Sequence, residues 1–428
     1  MRPTLYARRV QTAERPSLVS GFARTDTGRA AGLGMAVIAA NVIALGFTIV
    51  MARVLGATDY GSLAALISAF IILMVPGSAL QIAVAREVSA SLAVGDGRAG
   101  TGVRRWIGRL LLAAVGVAVV AVLLRGVLAA ILNVDQEWAA AAVPVTAVLW
   151  MALSVERGAL QGFQRYKVVA WSIVGEAGSR LGFALVLVGL GGDVTGAFLG
   201  QALAFVAVGV ALAAPLAHHL PDEDGHPLRE LLAGAWWPVL ALTLLFVLQE
   251  IHVIVVKHEA DGDTAGAYAV AAVAAKAIIW VAVGLGMYLL PETTRRSRGG
   301  EDARPILLRT LGLIAVCAVP MVLIYALVGE PLLGAVFGDD LTEASDALPW
   351  LGLAMALLAC SYLSVQFLLA MHERAFVAVL AVAAAAEVIV LLALGAHLTR
   401  IAIALFAIQA ACAACVLTAS LRTRARVS

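Results

Sequence analysis

The chain has 428 residues, 62% of them hydrophobic and 14% charged, against roughly 45–50% and about 25% in soluble domains. Such a composition cannot cover a water-soluble surface, so a large soluble core is excluded. The net charge of +2 carries little information, because in a membrane protein the placement of Lys and Arg matters and their total does not.

The apolar residues fall in runs of about 20, the length that crosses roughly 30 Å of hydrocarbon at 1.5 Å per residue. About 30 polar residues precede the first run, which is itself of full span length and therefore reads as a retained anchor, not a signal peptide. Spans are predicted at 31–53, 61–82, 107–131, 139–158, 168–190, 194–216, 231–256, 265–291, 306–328, 347–371, 375–396 and 400–419. Run length and a content rich in Ala, Leu and Gly predict helices, not the alternating short strands of a barrel. The expected fold is thus an all-α polytopic membrane protein of about twelve transmembrane helices. Its expected parts are a tail (1–30), a first six-helix lobe (31–216), a polar linker "AHHLPDEDGHPLRE" (217–230), a second six-helix lobe (231–419) and a basic tail (420–428).

Loop charge tests that topology, since Lys and Arg concentrate on the cytoplasmic side. Counting the tails, the 83–109 region, Arg157, Arg165, Lys167, Arg229, the 295–309 region and Arg374 on one side gathers roughly 24 of the 30 basic residues. Both termini are therefore expected in the cytoplasm, and the opposite loops are short and acidic. The halves also echo one another: "PVTAVLWMAL" from Pro144 precedes "PWLGLAMAL" from Pro349, and "GFQRYKVVAW" precedes "AMHERAFVAV". An internal duplication with an even number of spans per half predicts a pseudo-twofold axis along the membrane normal.

Ionisable residues within spans are costly, by about 2.5–3.5 kcal/mol on insertion scales, and so should meet a partner or a wet cavity. Glu176 and Arg180 lie four apart, on one helical face, and are expected to pair. Lys276 stands mid-span with no acid within one turn of its own helix, which makes it the leading candidate to face a cavity and contact an anion. Gln249, Glu250 and His252 form a cluster that reads either as an outer gate or proton site, or as the polar end of a helix. Glu387 stands alone in the eleventh span and is a candidate ion or proton carrier. Arg125 is expected to snorkel. Asn41, placed with the substrate contacts, and Gln81, Gln201, Gln366 and Gln409 are expected to hydrogen-bond between helices.

Other patterns carry no chemistry. Cys317, Cys360, Cys412 and Cys415 all lie in apolar runs and pack as small hydrophobes. The stretch "GLGGDVTG" at 189–196 joins two spans and is a turn. His218, His219 and His226 beside Asp222, Glu223 and Asp224 fit no standard metal spacing, so no metal, cofactor or nucleic-acid partner is expected. No serine elbow, zinc helix or P-loop occurs, and an enzymatic role is not expected.

Several segments resemble the polysaccharide flippase branch of the multidrug/oligosaccharidyl-lipid/polysaccharide exporter superfamily. They are "MARVLGATDYGSLAAL" from Met51, "RGALQGFQRYKVVAWSIVGEAGSRLGFALVLVGLG" from Arg157, "VKHEADGDTAGAYAVAAVAAK" ending at Lys276, and "LLPETTRR". The resemblance implies two lobes around a central cavity, alternating access, and a polyprenyl-diphosphate-linked oligosaccharide as cargo in the cell (inner or plasma) membrane. Membrane lipid, and glycosyltransferases or a polymerase of the same pathway, would be its partners. Lys276, Arg180, Glu176 and Asn41 would then meet cargo, and Glu387, Glu250 and His252 would serve ion or proton coupling. Many relatives carry an acidic residue where this chain has His252, a departure that bears on coupling. The alternatives are a drug or cation antiporter of the same superfamily, a major-facilitator-type transporter, faintly echoed in "GDGRAGTGVRR" at 95–105, and a membrane glycosyltransferase, for which the outer loops are too short.

Overall fold

A computed structural model describes residues 26–93, 100–220, 236–298 and 302–423. The predicted tails and linker fall largely outside them, as do His226 and the acids Asp222 to Asp224. Among the described residues the structure is helical: α1 (Asp26–Leu73), α2 (Val75–Ala93), α3 (Val103–Leu123), α4 (Arg125–Leu132), α5 (Glu137–Gly162), α6 (Tyr166–Leu187) and α7 (Asp193–Ala217). After the linker come α8 (Trp236–Glu259), α9 (Gly262–Arg298), α10 (Arg304–Phe337), α11 (Leu348–Ala370), α12 (Phe376–Leu394) and α13 (Leu398–Arg422).

Ten helical stretches among these residues are long and apolar enough to cross a membrane, and two of them run to 62 and 52 residues. A straight 62-residue helix would reach about 93 Å, three times the hydrocarbon thickness, so each long stretch must turn back. The first breaks at Gly56, which adopts φ 76° and ψ 178°, a backbone conformation that only glycine reaches without strain. The second breaks in a five-residue turn at Val188–Gly192, where Gly191 has φ 86°. With these breaks the ten stretches divide into about twelve apolar helical segments.

Several boundaries differ from expectation, beginning with the second span, which breaks at Met74 between α1 and α2 and runs on to Ala93. The third span breaks at Leu124, dividing α3 from α4. The ninth runs on to Phe337 with a non-helical Val328, because Pro331 lacks an N–H and its ring clashes with the carbonyl one turn earlier.

In the first half α5 packs against α1, α2, α3, α4 and α7, and in the second α11 packs against α9, α10 and α13. The halves meet chiefly where α1 lies against α8 and α9. One end of this seam is closely joined. Arg53 Nη2 donates to Ala335 O at 2.7 Å, Thr58 Oγ1 to Asp263 Oδ1 at 2.5 Å, and Asn133 Nδ2 to Lys257 O at 2.6 Å. Gly266 makes this approach possible, since a Cβ there would sit 2.0 Å from Ala57 O.

Candidate functional site

The first candidate site is a cavity of about 190 Å³ in the first half, lined by an aromatic wall that includes Phe47, Phe70, Trp150 and Phe205, together with Glu176, Arg180 and Gln201. Trp150 and Phe70 each pack on Phe205, with ring centroids 5.4 and 5.7 Å apart. Two glycines shape the pocket by close approach. A Cβ on Gly77 would lie 2.5 Å from Trp150 Cδ1, and one on Gly200 would lie 2.7 Å from Ala184 N, so the indole sits against α2 and α7 draws close to α6.

The charges form a chain across this wall. Arg157 Nη1 donates to Glu176 Oε2 at 2.9 Å, while its Nε and Nη2 donate to Ser172 Oγ and O at 3.0 and 2.9 Å. Gln201 Nε2 donates to Glu176 Oε1 at 3.4 Å and its Oε1 accepts from Arg180 Nη1 at 3.0 Å. Only this amide orientation satisfies a carboxylate on one side and a guanidinium on the other. The Arg180 guanidinium lies 4.1 Å above the Phe47 ring, and its Nε has no hydrogen-bond partner among the described residues.

The expected Glu176–Arg180 pair is therefore not direct. The acid goes to Arg157, and Gln201 stands between the two residues of the predicted pair. Arg157, counted with the cytoplasmic loop charges, is 2% exposed. It lies within α5, which runs to Gly162. Its place beside Glu156 inside an apolar run was the signal that could have revealed it.

The second candidate site is a buried polar cluster in the second half. Lys276 Nζ lies 2.6 Å from Glu250 Oε2, with side chains 9% and 1% exposed. The same oxygen accepts from Ser68 Oγ at 2.7 Å, and Gln249 Nε2 donates to Oε1 at 2.9 Å. Three donors thus hold this carboxylate. Lys276, expected to face a cavity, is instead sealed against an acid from the neighbouring helix.

Beside it, His252 Nε2 lies 2.9 Å from Gln249 O and its Nδ1 lies 2.9 Å from Tyr268 Oη. A carbonyl can only accept, so Nε2 carries the proton and Nδ1 accepts from the tyrosine hydroxyl. Glu387, which stood alone in its span, is fully buried and meets Gln409 Nε2 at 3.3 Å. Glu387 Oε1 and Gln409 Oε1 have no hydrogen-bond partner among the described residues.

The remaining predicted residues stand apart from both sites. Asn41 is exposed on α1. Arg125, expected to snorkel, bonds Glu137 Oε2 at 2.7 Å and lies over Trp138. No group of three or more His, Cys, Asp or Glu suited to a metal occurs among the described residues.

The family model described as "Polysaccharide biosynthesis protein" matches residues 30–295. No curated protein gives a significant sequence match. Among solved structures, a multidrug resistance MATE family transporter of the MOP superfamily, in an inward-facing conformation, is similar with a TM-score of 0.73 at 12% identity, over 89% of this chain and 94% of that one. The lipid II flippase MurJ, in an inward closed conformation, is similar with a TM-score of 0.68 at 11% identity, over 92% and 87%. A MOP superfamily transporter from Pyrococcus furiosus, described as having a binding pocket of reverse polarity, is similar with a TM-score of 0.60 at 14% identity, over 95% and 98%. These likenesses give the fold, and the family match covers more than half of the sequence. The chain belongs to the family of polysaccharide biosynthesis proteins and has the many-helix membrane fold of the MOP superfamily transporters.

Proposed function

We propose that this protein flips a polyprenyl-diphosphate-linked oligosaccharide from the cytoplasmic to the outer leaflet of the cell membrane, by alternating access between two six-helix lobes related by a pseudo-twofold axis. In this reading both termini are cytoplasmic, and pathway glycosyltransferases or a polymerase work beside it. The observation that carries it is Arg180, a guanidinium in an aromatic-lined cavity whose one hydrogen-bond acceptor among the described residues is the amide oxygen of Gln201. Arginine binds phosphate oxygens strongly, and aromatic rings suit sugar faces. A cavity of 190 Å³ lies below the roughly 300–1,000 Å³ of drug-sized pockets, so it holds one group of the cargo while the rest occupies the space between lobes. The family membership supports a polysaccharide pathway.

Glu176 is held by Arg157 and Gln201, which favours this reading over a cation antiporter with a free carboxylate. In the second half, Glu250, His252 and Glu387 are the proposed coupling residues. Lys276 serves there as an internal counter-charge in the present state and meets cargo only when that cluster opens. Asn41 is assigned to the cargo path. Two negative charges leaving an inside-negative cell gain about 4.6 kcal/mol per 100 mV, so the potential alone can drive the step.

The test is flipping of a fluorescent polyprenyl-diphosphate oligosaccharide in proteoliposomes. Arg180→Ala is expected to lower the rate on the order of 10- to 100-fold, the weight of a charge-assisted contact of roughly 1.5–3 kcal/mol. Wild-type flipping by that variant would remove Arg180 from the mechanism, and no flipping by the native protein would remove the cargo.

A further inference from the structure

Glu176 and Arg180 of α6 line the cavity, and the carboxylate bonds a guanidinium that does not line it, that of Arg157 on α5. Arg157 is tied in place by Ser172, through both its hydroxyl and its carbonyl, and its third bond takes Glu176. Its guanidinium also lies 5.6 Å from the Trp150 ring. Without it, Glu176 and Arg180 are four residues apart on one helix, acid first, which is the order that favours direct pairing. Glu156, next to Arg157, turns to α7, where its Oε2 lies 3.4 Å from the position of a Cβ on Gly209; it does not line the cavity.

We infer that Arg157 is a positioning residue that sets the charge preference of the pocket: by holding Glu176 it keeps Arg180 open to an anion of the phosphate or diphosphate class. This deepens the anion reading of the same pocket and rests on it. A purely mechanical Arg157, one that only fastens α5 to α6 through Ser172, would make a different prediction. Neutralising Glu176 could not then repair its loss.

The experiment uses the full-length protein with its native cysteines replaced and one cysteine introduced as Ile71→Cys in the cavity wall. Its modification rates with an anionic and a cationic methanethiosulfonate reagent give a ratio that reports local charge without any cargo. Arg157→Ala is expected to lower the anionic-to-cationic ratio on the order of tenfold, the order of effect of one unit charge removed near the thiol. Adding Glu176→Gln is expected to bring it back to within about threefold of the parent, and Arg157→Lys is expected to leave it there. An unchanged ratio in Arg157→Ala, or a lowered one that Glu176→Gln does not restore, overturns the inference. Should Arg157→Ala fail to assemble, Arg157→Gln, which keeps a donor for Ser172, carries the same test. Binding of farnesyl diphosphate, with farnesol as control, is then measured on the same proteins. Ratios that shift and recover as expected in a parent that does not bind farnesyl diphosphate uphold the role of Arg157 and remove the diphosphate cargo.

Discussion

Lys276→Met tests the buried pair at the centre of the second half. Glu250 is fully buried and Lys276 is 7% exposed, so removing the ammonium strands a carboxylate whose remaining donors are Ser68 and Gln249. Stranding one member of a buried pair costs about 3–5 kcal/mol, whereas removing both charges together is often near neutral. The expected loss for Lys276→Met is therefore about 3 kcal/mol or slightly more, since the two neutral donors persist. Lys276→Met/Glu250→Gln is expected within about 1 kcal/mol of the parent, because glutamine keeps an acceptor for Ser68 and a shape close to the acid. Reversible unfolding in mixed micelles, followed by tryptophan fluorescence across the four proteins of the cycle, measures the interaction. An interaction energy below about 0.5 kcal/mol, the scatter of independent sites, would refute the claim that this pair holds α8 to α9.

Two further perturbations address the seam and the end of α9. Gly266→Val places side-chain atoms against Ala57 O, where even a Cβ would lie at 2.0 Å, so the joined end should open; oxidative cross-linking of Thr58→Cys with Asp263→Cys is expected to fall at least about fivefold, and unchanged cross-linking would show that this crossing does not hold α1 to α9. Beyond the apolar part of α9, hydrogen bonds from Arg295 and Arg296 hold the Glu292 carboxyl down at about 2. A depressed carboxyl contributes stability above its unfolded value of about 4.3 and loses it as pH falls through the folded one; the infrared carboxylate band of Glu292, identified by difference from Glu292→Gln, should persist below pH 4 and fade near 2, and its loss near the unfolded value would refute the arginine contacts.

Helical character and the approximate number of apolar helices were legible in the sequence because they depend on run length and composition, which are properties of the chain read in one dimension. Gly56 and the 188–192 turn sit where the predicted spans end, since a helix longer than the bilayer must break and glycine supplies the conformation. The polar residues worth attention were legible too, because any ionisable group in an apolar run stands out by its cost.

Their partners were not legible. Lys276 has no acid within a turn of its own helix, yet it meets Glu250, 26 residues earlier on α8. Glu176 and Arg180 have the spacing of a pair, yet Arg157 from α5 and Gln201 from α7 come between them. Spacing along one helix fixes which side chains share a face. The rotation of each helix and the angle at which it crosses its neighbours decide what that face meets, and those are set by the packing of small residues such as Gly200 and Gly266 against other backbones. Sequence alone therefore determined a membrane-spanning helical chain with a few costly charges, and tertiary packing decided which of those charges are neutralised and which, at Arg180, is left facing a cavity.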